Sequence, residues 1–314
     1  MFDTIHFRLR QDDLASRVDF LRDIPGLLTD VAITERDNGE IWAKGSLGNL
    51  TIRANPYSVS VRDGSLCKWY LGDNFQVLDR ADTERAIEAL SDHLHLPMAR
   101  AAITRVDVAA GFIVQYPPKV YFDHLGQMRQ TKRLQQPDGV YYSQAAKQIV
   151  FYDKIREERK HREPIPELYE GKNVLRYEWR ATSRLPRILK VPEAVRASLL
   201  YDRPFYNSLL NQWRDHYHQI QKINQTNLNF SMIKRKSDLH KWGLLTGIES
   251  IGGQQEMLRQ IAEAQQRGEL TPKQAYDLRA AVVEACKVDG IFTIKSDVVQ
   301  ELDEKVAEAL KMFG

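Results

Sequence analysis

Apolar positions recur with a two-residue period through most of the first 190 residues and with helical period afterwards. Over 2–10, Ile5, Phe7 and Leu9 fall on one face, which predicts a strand. Leu14, Val18 and Leu21 recur at helical spacing and predict a helix over 12–22. Residues 29–62 predict a strand meander. Asp37-Asn38-Gly39 supplies a hairpin turn, Leu50 and Ile52 alternate, and so do Tyr57, Val59 and Val61 after the turn Asn55-Pro56. A helix is predicted over 83–95, capped by Asp82 or Thr83, with Ile87, Leu90 and Leu94 as its stripe. Strands follow over 102–110, 119–124, 139–143, 147–153 and 173–181. A charged helix over 154–162 precedes the last of these and is broken at Glu163-Pro164-Ile165-Pro166.

Beyond 190 the strand signal fades. Helices are predicted over 205–222, 254–267, 272–287 and 296–312, with one short β element at 291–294. The expected fold class is α+β: a mostly antiparallel sheet with helices packed on one face over 1–195, followed by a helical domain over 196–314, the boundary lying near 195–203. A length of 314 residues suits two domains.

Composition narrows the function classes. Hydrophobic residues make up 43% and charged ones 28%, ordinary for a globular chain. No apolar run is long enough to span a bilayer, and MFDTIHFRLRQDD has no apolar signal-peptide core. Cys67 and Cys286 lie far apart without ligand spacing, so the reading is a reducing, cytoplasmic compartment and no structural zinc. No P-loop or dinucleotide fingerprint is present. Net charge is only +3, but its distribution matters more. Residues 147–162 hold six basic residues against three acidic ones, among them Lys147 and Arg156, and Lys234, Arg235, Lys236 and Lys241 form a second basic stretch. Such patches neutralise DNA phosphates, and equally describe solvated helix faces.

Three strands carry an anomaly. Over 103–109, Arg105 and Asp107 oppose Val106 and Val108. Over 174–180, Arg176, Glu178 and Arg180 oppose Leu175, Tyr177 and Trp179. Over 148–153, Tyr152 opposes Ile149 and Phe151, and Lys154 continues its face. If these strands are neighbours, one face gathers two carboxylates able to hold Mg²⁺ or Mn²⁺ through oxygen, a tyrosine able to attack phosphorus, and Lys154 or the metal to activate it. Arg105 and Arg176 would clamp phosphate oxygens. Surface ion pairs on a wet sheet face give the same pattern.

These segments resemble a known family. Ile103-Thr104-Arg105-Val106-Asp107, then Val150-Phe151-Tyr152-Asp153-Lys154-Ile155-Arg156-Glu157, then Leu175-Arg176-Tyr177-Glu178-Trp179-Arg180 are similar in kind and order to the filamentous-phage replication initiators of gene II and gene X type, and more distantly to staphylococcal rolling-circle plasmid initiators. Gly64-Ser65-Leu66-Cys67-Lys68 followed by Gly72-Asp73-Asn74 resembles a further element of that family, with Asp73 where Asn is usual. The resemblance covers about 40–185. It implies a metal-dependent nicking-closing enzyme that acts at an origin in a bacterial host. Tyr152 is then the nucleophile and Asp107 and Glu178 belong to the metal site, with Glu157 as third ligand, general base or partner of Lys154. Asp153 and Glu158 are rivals for that last place. Lys68, Arg180 and the basic stretches would meet DNA, and a host helicase, the replication machinery and a second copy of the chain are the expected partners. A non-catalytic origin-binding protein, or a relaxase or transposase, are the alternatives.

Several residues compete for these roles. His93-Leu94-His95 has the spacing of a two-histidine metal motif but ends a helix. Tyr121, Tyr141 and Tyr142 are alternative nucleophiles. Trp69, Tyr70 and Tyr57 suit either base stacking or core packing.

Overall fold

The computed structural model describes residues 1–223, 225–226, 233–287, 293–294 and 296–314. Its centre is a ten-stranded antiparallel sheet. In chain order the strands are β1 (Phe2–Arg10), β2 (Thr29–Glu35), β3 (Ile41–Leu47), β4 (Leu50–Asn55), β5 (Ser58–Arg62), β6 (Ala102–Val114), β7 (Leu125–Met128), β8 (Lys132–Gln136), β9 (Gly139–Ser143), β10 (Lys147–Asp153) and β11 (Asn173–Ala181). All but β7 join this sheet, in the order β2-β3-β4-β5-β1-β6-β11-β10-β9-β8. β7 pairs instead with β12 (Ile220–Lys222).

The helices are α1 (Phe20–Asp23), α2 (Leu66–Leu71), α3 (Arg80–Leu94), α4 (Pro118–His124), α5 (Lys154–His161), α6 (Leu185–Ile188), α7 (Arg203–His218), α8 (Lys236–Ser250), α9 (Gln254–Gln266), α10 (Pro272–Cys286) and α11 (Asp297–Phe313). The fold is α+β, with its large sheet in the first part and a helical region after it.

The three strands with a polar face are neighbours, in the order β6-β11-β10. Their registers set Arg180 opposite Asp107, and Tyr152 opposite Arg176. Opposed residues share a face, so the polar positions of all three strands lie together. The reverse face carries Val106, Val108, Leu175, Tyr177, Trp179, Ile149 and Phe151, all buried. These pack on α7 through Leu209, Trp213 and Tyr217, and on α11 through Leu302 and Val306, in one apolar cluster. That core therefore runs past residue 203. A separate cluster joins Leu245, Ile248, Ile261, Ala275 and Val282 of α8, α9 and α10.

Four expectations change. Residues 12–22 are not one helix: Val18 bonds through both its backbone N–H and C=O to the Gln11 side chain, and the chain turns helical only at Phe20. Residues 119–124 are helix, not strand, because Pro118 at the first helical position presets the turn. The helix predicted over 205–222 stops at His218, where Ile220–Lys222 leaves to pair with β7. The helix over 83–95 begins earlier, capped by Asp79, whose side chain accepts from Asp82 N–H at 2.6 Å. The sequence reading also passed over α8, which starts in the second basic stretch. Thr293–Ile294 pairs with Gln225–Thr226 as a short β element, while Ile291 and Phe292 lie outside the described residues. Among the described residues no helix is long and apolar enough to cross a membrane.

Candidate active site

Tyr152 sits near the end of β10 with 7% of its surface exposed. Its hydroxyl donates to Glu178 Oε1 at 2.6 Å, across the β10–β11 pairing. Gly139 lies opposite it on β9, where a side chain would press on Phe151 O at 2.8 Å and Tyr152 Cβ at 3.2 Å.

Arginines hold the two carboxylates. Arg105 meets Asp107 with two bonds, Nε to Oδ1 at 2.9 Å and Nη2 to Oδ2 at 2.6 Å. Arg180 donates through Nε to Glu178 Oε2 at 2.7 Å and stands 4.0 Å from Asp107 Oδ2, so one guanidinium spans both acids. Arg176 is fully buried. It reaches Asp3 at 3.2 Å, Glu178 at 3.4 Å and the Phe75 carbonyl at 3.4 Å. The sequence reading offered it as a phosphate clamp, but no part of it reaches solvent, and in this arrangement it ties β11 to β1 and to the loop after α2.

Electrostatics follow from this packing. Burial and the neighbouring Glu178 hold the Tyr152 phenol well above its ordinary value. Burial alone would raise Glu178, yet Arg180 and Arg176 beside it hold the carboxyl down to about 2. For Asp107 burial wins over Arg105 and lifts the carboxyl to about 6.

The segment after Tyr152 caps its own helix: Asp153 Oδ1 accepts from Arg156 N–H at 3.0 Å. Lys154, the first residue of α5, is 1% exposed and bonds both Glu157, at 2.8 Å, and Glu158. Its ammonium lies 5.9 Å from the Tyr152 ring centre. Glu158 is buried beside it. Glu157 faces a cavity of about 240 Å³ that Tyr152, Tyr141, Asp153 and Arg180 also line. Burial raises the Glu157 carboxyl against the pull of Lys154.

The first glycine-bearing motif acts through its backbone. Gly64 has φ +91°, and a side chain there would collide with Asn49 O at 2.1 Å. The turn lets Ser65 cap α2, accepting from Lys68 N–H at 3.0 Å, and donate to the Asp3 carboxylate. Asp73 then accepts from Phe75 N–H at 2.9 Å, which shapes the loop whose Phe75 carbonyl meets Arg176.

Other sequence candidates are dispersed. Lys68 pairs with Glu163 at 2.6 Å, and Arg156 is exposed, bonding the Pro137 carbonyl at 3.4 Å. Lys147 opens β10 at the strand end away from Tyr152. Lys234, Arg235 and Lys236 are exposed where α8 begins. Tyr142 points to the reverse face and donates to the Gly126 carbonyl at 2.8 Å, and Tyr121 bonds Glu301. His93 bonds the Ala89 carbonyl at 2.8 Å and packs edge-on to Trp69, while His95 ends α3 in the left-handed region. Tyr57 is 70% exposed, whereas Trp69 and Tyr70 pack partly buried on the core.

Sequence reasoning missed Asp3 and Ser65 as part of the polar face. The pairing of β1 with β6 slips between Phe2 and Ile5. Strict alternation would place Asp3 with Ile5 on the apolar side, and the slip turns it to the other.

The donor chemistry suits a hard divalent cation: two buried carboxylates on adjacent strands, offering oxygen only. Among the described residues no three His, Cys, Asp or Glu side chains gather as a ready ligand group. A cation would therefore share the two acids with water or substrate, and would have to displace the Arg180 guanidinium. The family model for the N-terminal part of a phage replication-associated protein, the gene II product, matches residues 1–200, which include every residue of this face. No curated protein matches the chain.

Proposed function

This chain belongs to the replication-associated protein family of filamentous phages, and on that premise we propose that it initiates rolling-circle replication by cutting and rejoining one DNA strand through Tyr152. The observation that carries the reading is the buried phenol hydrogen-bonded to Glu178 beside a cavity lined by a second acid and a guanidinium. The phenolic oxygen attacks phosphorus, the bond to the 3′ oxygen breaks, and the products are a 5′-phosphotyrosine and a 3′-hydroxyl able to prime synthesis. Transesterification conserves the bond energy, so a later 3′-hydroxyl recloses the strand without ATP.

The resting arrangement holds the reaction back. Arg180 and Arg176 hold Glu178 low while burial and Glu178 hold the phenol high, so direct transfer of the proton from Tyr152 to Glu178 is uphill. Arg180 must therefore leave Glu178, and a scissile phosphate entering the cavity is the anion that draws it away. A Mg²⁺ or Mn²⁺ ion held by Asp107 and Glu178 would supply the positive charge that favours phenolate and offsets charge developing on the phosphate. Glu157, raised by burial and lining the same cavity, is better matched than Glu178 to receive the proton. Lys154 holds Glu157 in place rather than activating the phenol directly. Origin DNA is the substrate, with a host helicase, the replication machinery and a second copy of the chain as partners inside a bacterial host.

One observation favours a second nucleophile: Tyr141 lines the same cavity and is more exposed than Tyr152. A denaturing gel with single-stranded origin oligonucleotide and Mn²⁺ separates the readings. A covalent band is expected for wild type and for Tyr141→Phe, and none for Tyr152→Phe. A Tyr152→Phe protein that still forms the band rejects the assignment. Absence of any band for wild type, with salt-sensitive binding retained, favours an origin-binding protein that does not cut.

A further inference from the structure

We propose that the pocket between the β9–β10 turn, α6 and α7 is a docking site for backbone phosphates of the DNA strand flanking the cut. The inference rests on the DNA-cutting reading but concerns residues that play no part in the chemistry. The pocket has a volume of about 570 Å³. Lys147, Arg184, Arg187 and Lys190 line it, and none of the four has an ion-pair partner among the described residues. Its one acid, Asp215, is already paired with Arg214 at 2.7 Å. Four uncompensated cations around a single opening attract an anion with several oxygens, and the two guanidinium forks suit phosphate geometry.

A second observation points to a ligand. His216 also lines the pocket, is 8% exposed, and leaves its Nδ1 atom without a hydrogen-bond partner. Buried polar atoms are rarely left unpaired, so this one marks a place in the pocket wall where a partner is missing. Burial, together with Lys147 and Lys190, keeps this imidazole neutral at neutral pH, its pKa lowered to about 4.

The backbone is also held in an uncommon shape here. Arg184 and Lys190, on either side of α6, both adopt left-handed φ, at +50° and +57°. Such conformations are unfavourable for side chains of this size and persist where the surroundings enforce them. Buried Leu185 and Leu189 anchor the segment, and the cations project at its two ends.

Continuity with the cut site identifies the anion as DNA. Lys147 and Tyr152 share β10, five residues or roughly 17 Å apart. Arg180, which lines the Tyr152 cavity, contacts Gln148 at 3.4 Å, next to Lys147. The pocket lies on the α7 side of the sheet and the Tyr152 cavity on the other, so a strand leaving the cavity past Arg180 and Gln148 turns round the β9–β10 end of the sheet to reach it.

The triple variant Arg184→Gln, Arg187→Gln, Lys190→Gln alters only exposed side chains. Its control removes the same charge elsewhere, with Lys273→Gln, Lys287→Gln and Lys311→Gln. Two oligonucleotides are used: a short one confined to the cut, and one long enough to reach the pocket. The pocket variant is expected to bind the long single strand at least about tenfold more weakly, with a salt slope smaller by about 2, while the control changes less than about twofold. The covalent band on the short oligonucleotide should be unchanged in both. Equal losses in the two variants, or wild-type affinity in the pocket variant, overturn the proposal. So does binding of inorganic phosphate to the pocket without any effect of the triple variant on DNA, which marks a small-anion site. If wild type forms no covalent band, the cutting reading fails, while the affinity comparison still decides the pocket.

Discussion

Two tyrosines on adjacent strands, Tyr152 and Tyr177, are both buried, both hydrogen-bonded and both pushed up in pKa by burial, yet they face opposite sides of the sheet. Tyr177 stacks on Phe151 at 4.5 Å and on Trp213 at 4.7 Å, and donates to the Trp213 carbonyl at 2.7 Å. Its surroundings are hydrocarbon and backbone. Tyr152 donates to a carboxylate, and that carboxylate is held by guanidiniums beside an opening. Burial and a raised pKa are common to both faces and mark neither as a site. What distinguishes Tyr152 is charge that can rearrange and a path for a phosphate to reach it.

The largest effect should come from removing each phenol in turn. Tyr152→Phe should abolish the covalent DNA band, a loss of at least about a thousandfold. Tyr177→Phe should retain the band and lose about 1 kcal/mol of stability with its hydrogen bond to Trp213, read from chemical denaturation. Retained chemistry in the first variant would erase the contrast between the faces.

Stability tests sharpen it further. Arg176→Met should cost about 3–5 kcal/mol, because Asp3 and Glu178 lose a buried partner. Phe151→Ala should cost a similar amount by opening a cavity on the reverse face. The causes differ, so the rescue should differ. Asp3→Asn should recover part of the loss in Arg176→Met and none of that in Phe151→Ala. Equal behaviour of the two in that cycle would mean that charge is not what organises the polar face.

Much of this arrangement was legible in the sequence. Period-two alternation put Tyr152, Glu178, Asp107 and Arg180 on polar faces, and the strand order then brought those faces together. Alternation cannot say what covers a face. Arg176 read as available to DNA, but the Phe75 loop lies over it and leaves it fully buried. Asp3 was invisible because one register slip in β1 reverses its side. Residues 119–124 read as strand because their apolar spacing allows it, although Pro117-Pro118 marks a helix start. Lys154 was expected beside the phenol and is near it, but its charge is shared between Glu157 and Glu158, which lie one turn along the same helix.

A smaller effect concerns pH. Asp107 ionises near 6 in the folded chain, above its ordinary value near 3.8. Because folding raises this pKa, ionising Asp107 costs stability. Its stabilising contribution is full below about pH 4 and falls by roughly 3 kcal/mol as pH rises through 6. Cutting should run in the opposite direction, since a cation needs the carboxylate: at low Mn²⁺, band formation should fall as pH drops below about 6, and raising Mn²⁺ should restore it. Band formation at low Mn²⁺ that stays flat between about pH 7 and 5 would remove Asp107 from the chemistry.

The most direct measurement locates the covalent bond itself. Trypsin places Tyr152 in the peptide 148–154, and Tyr141 with Tyr142 in the peptide 134–147. Mass spectrometry of the digested protein–DNA adduct should find the nucleotide on residues 148–154 alone, and finding it on 134–147 would contradict the account.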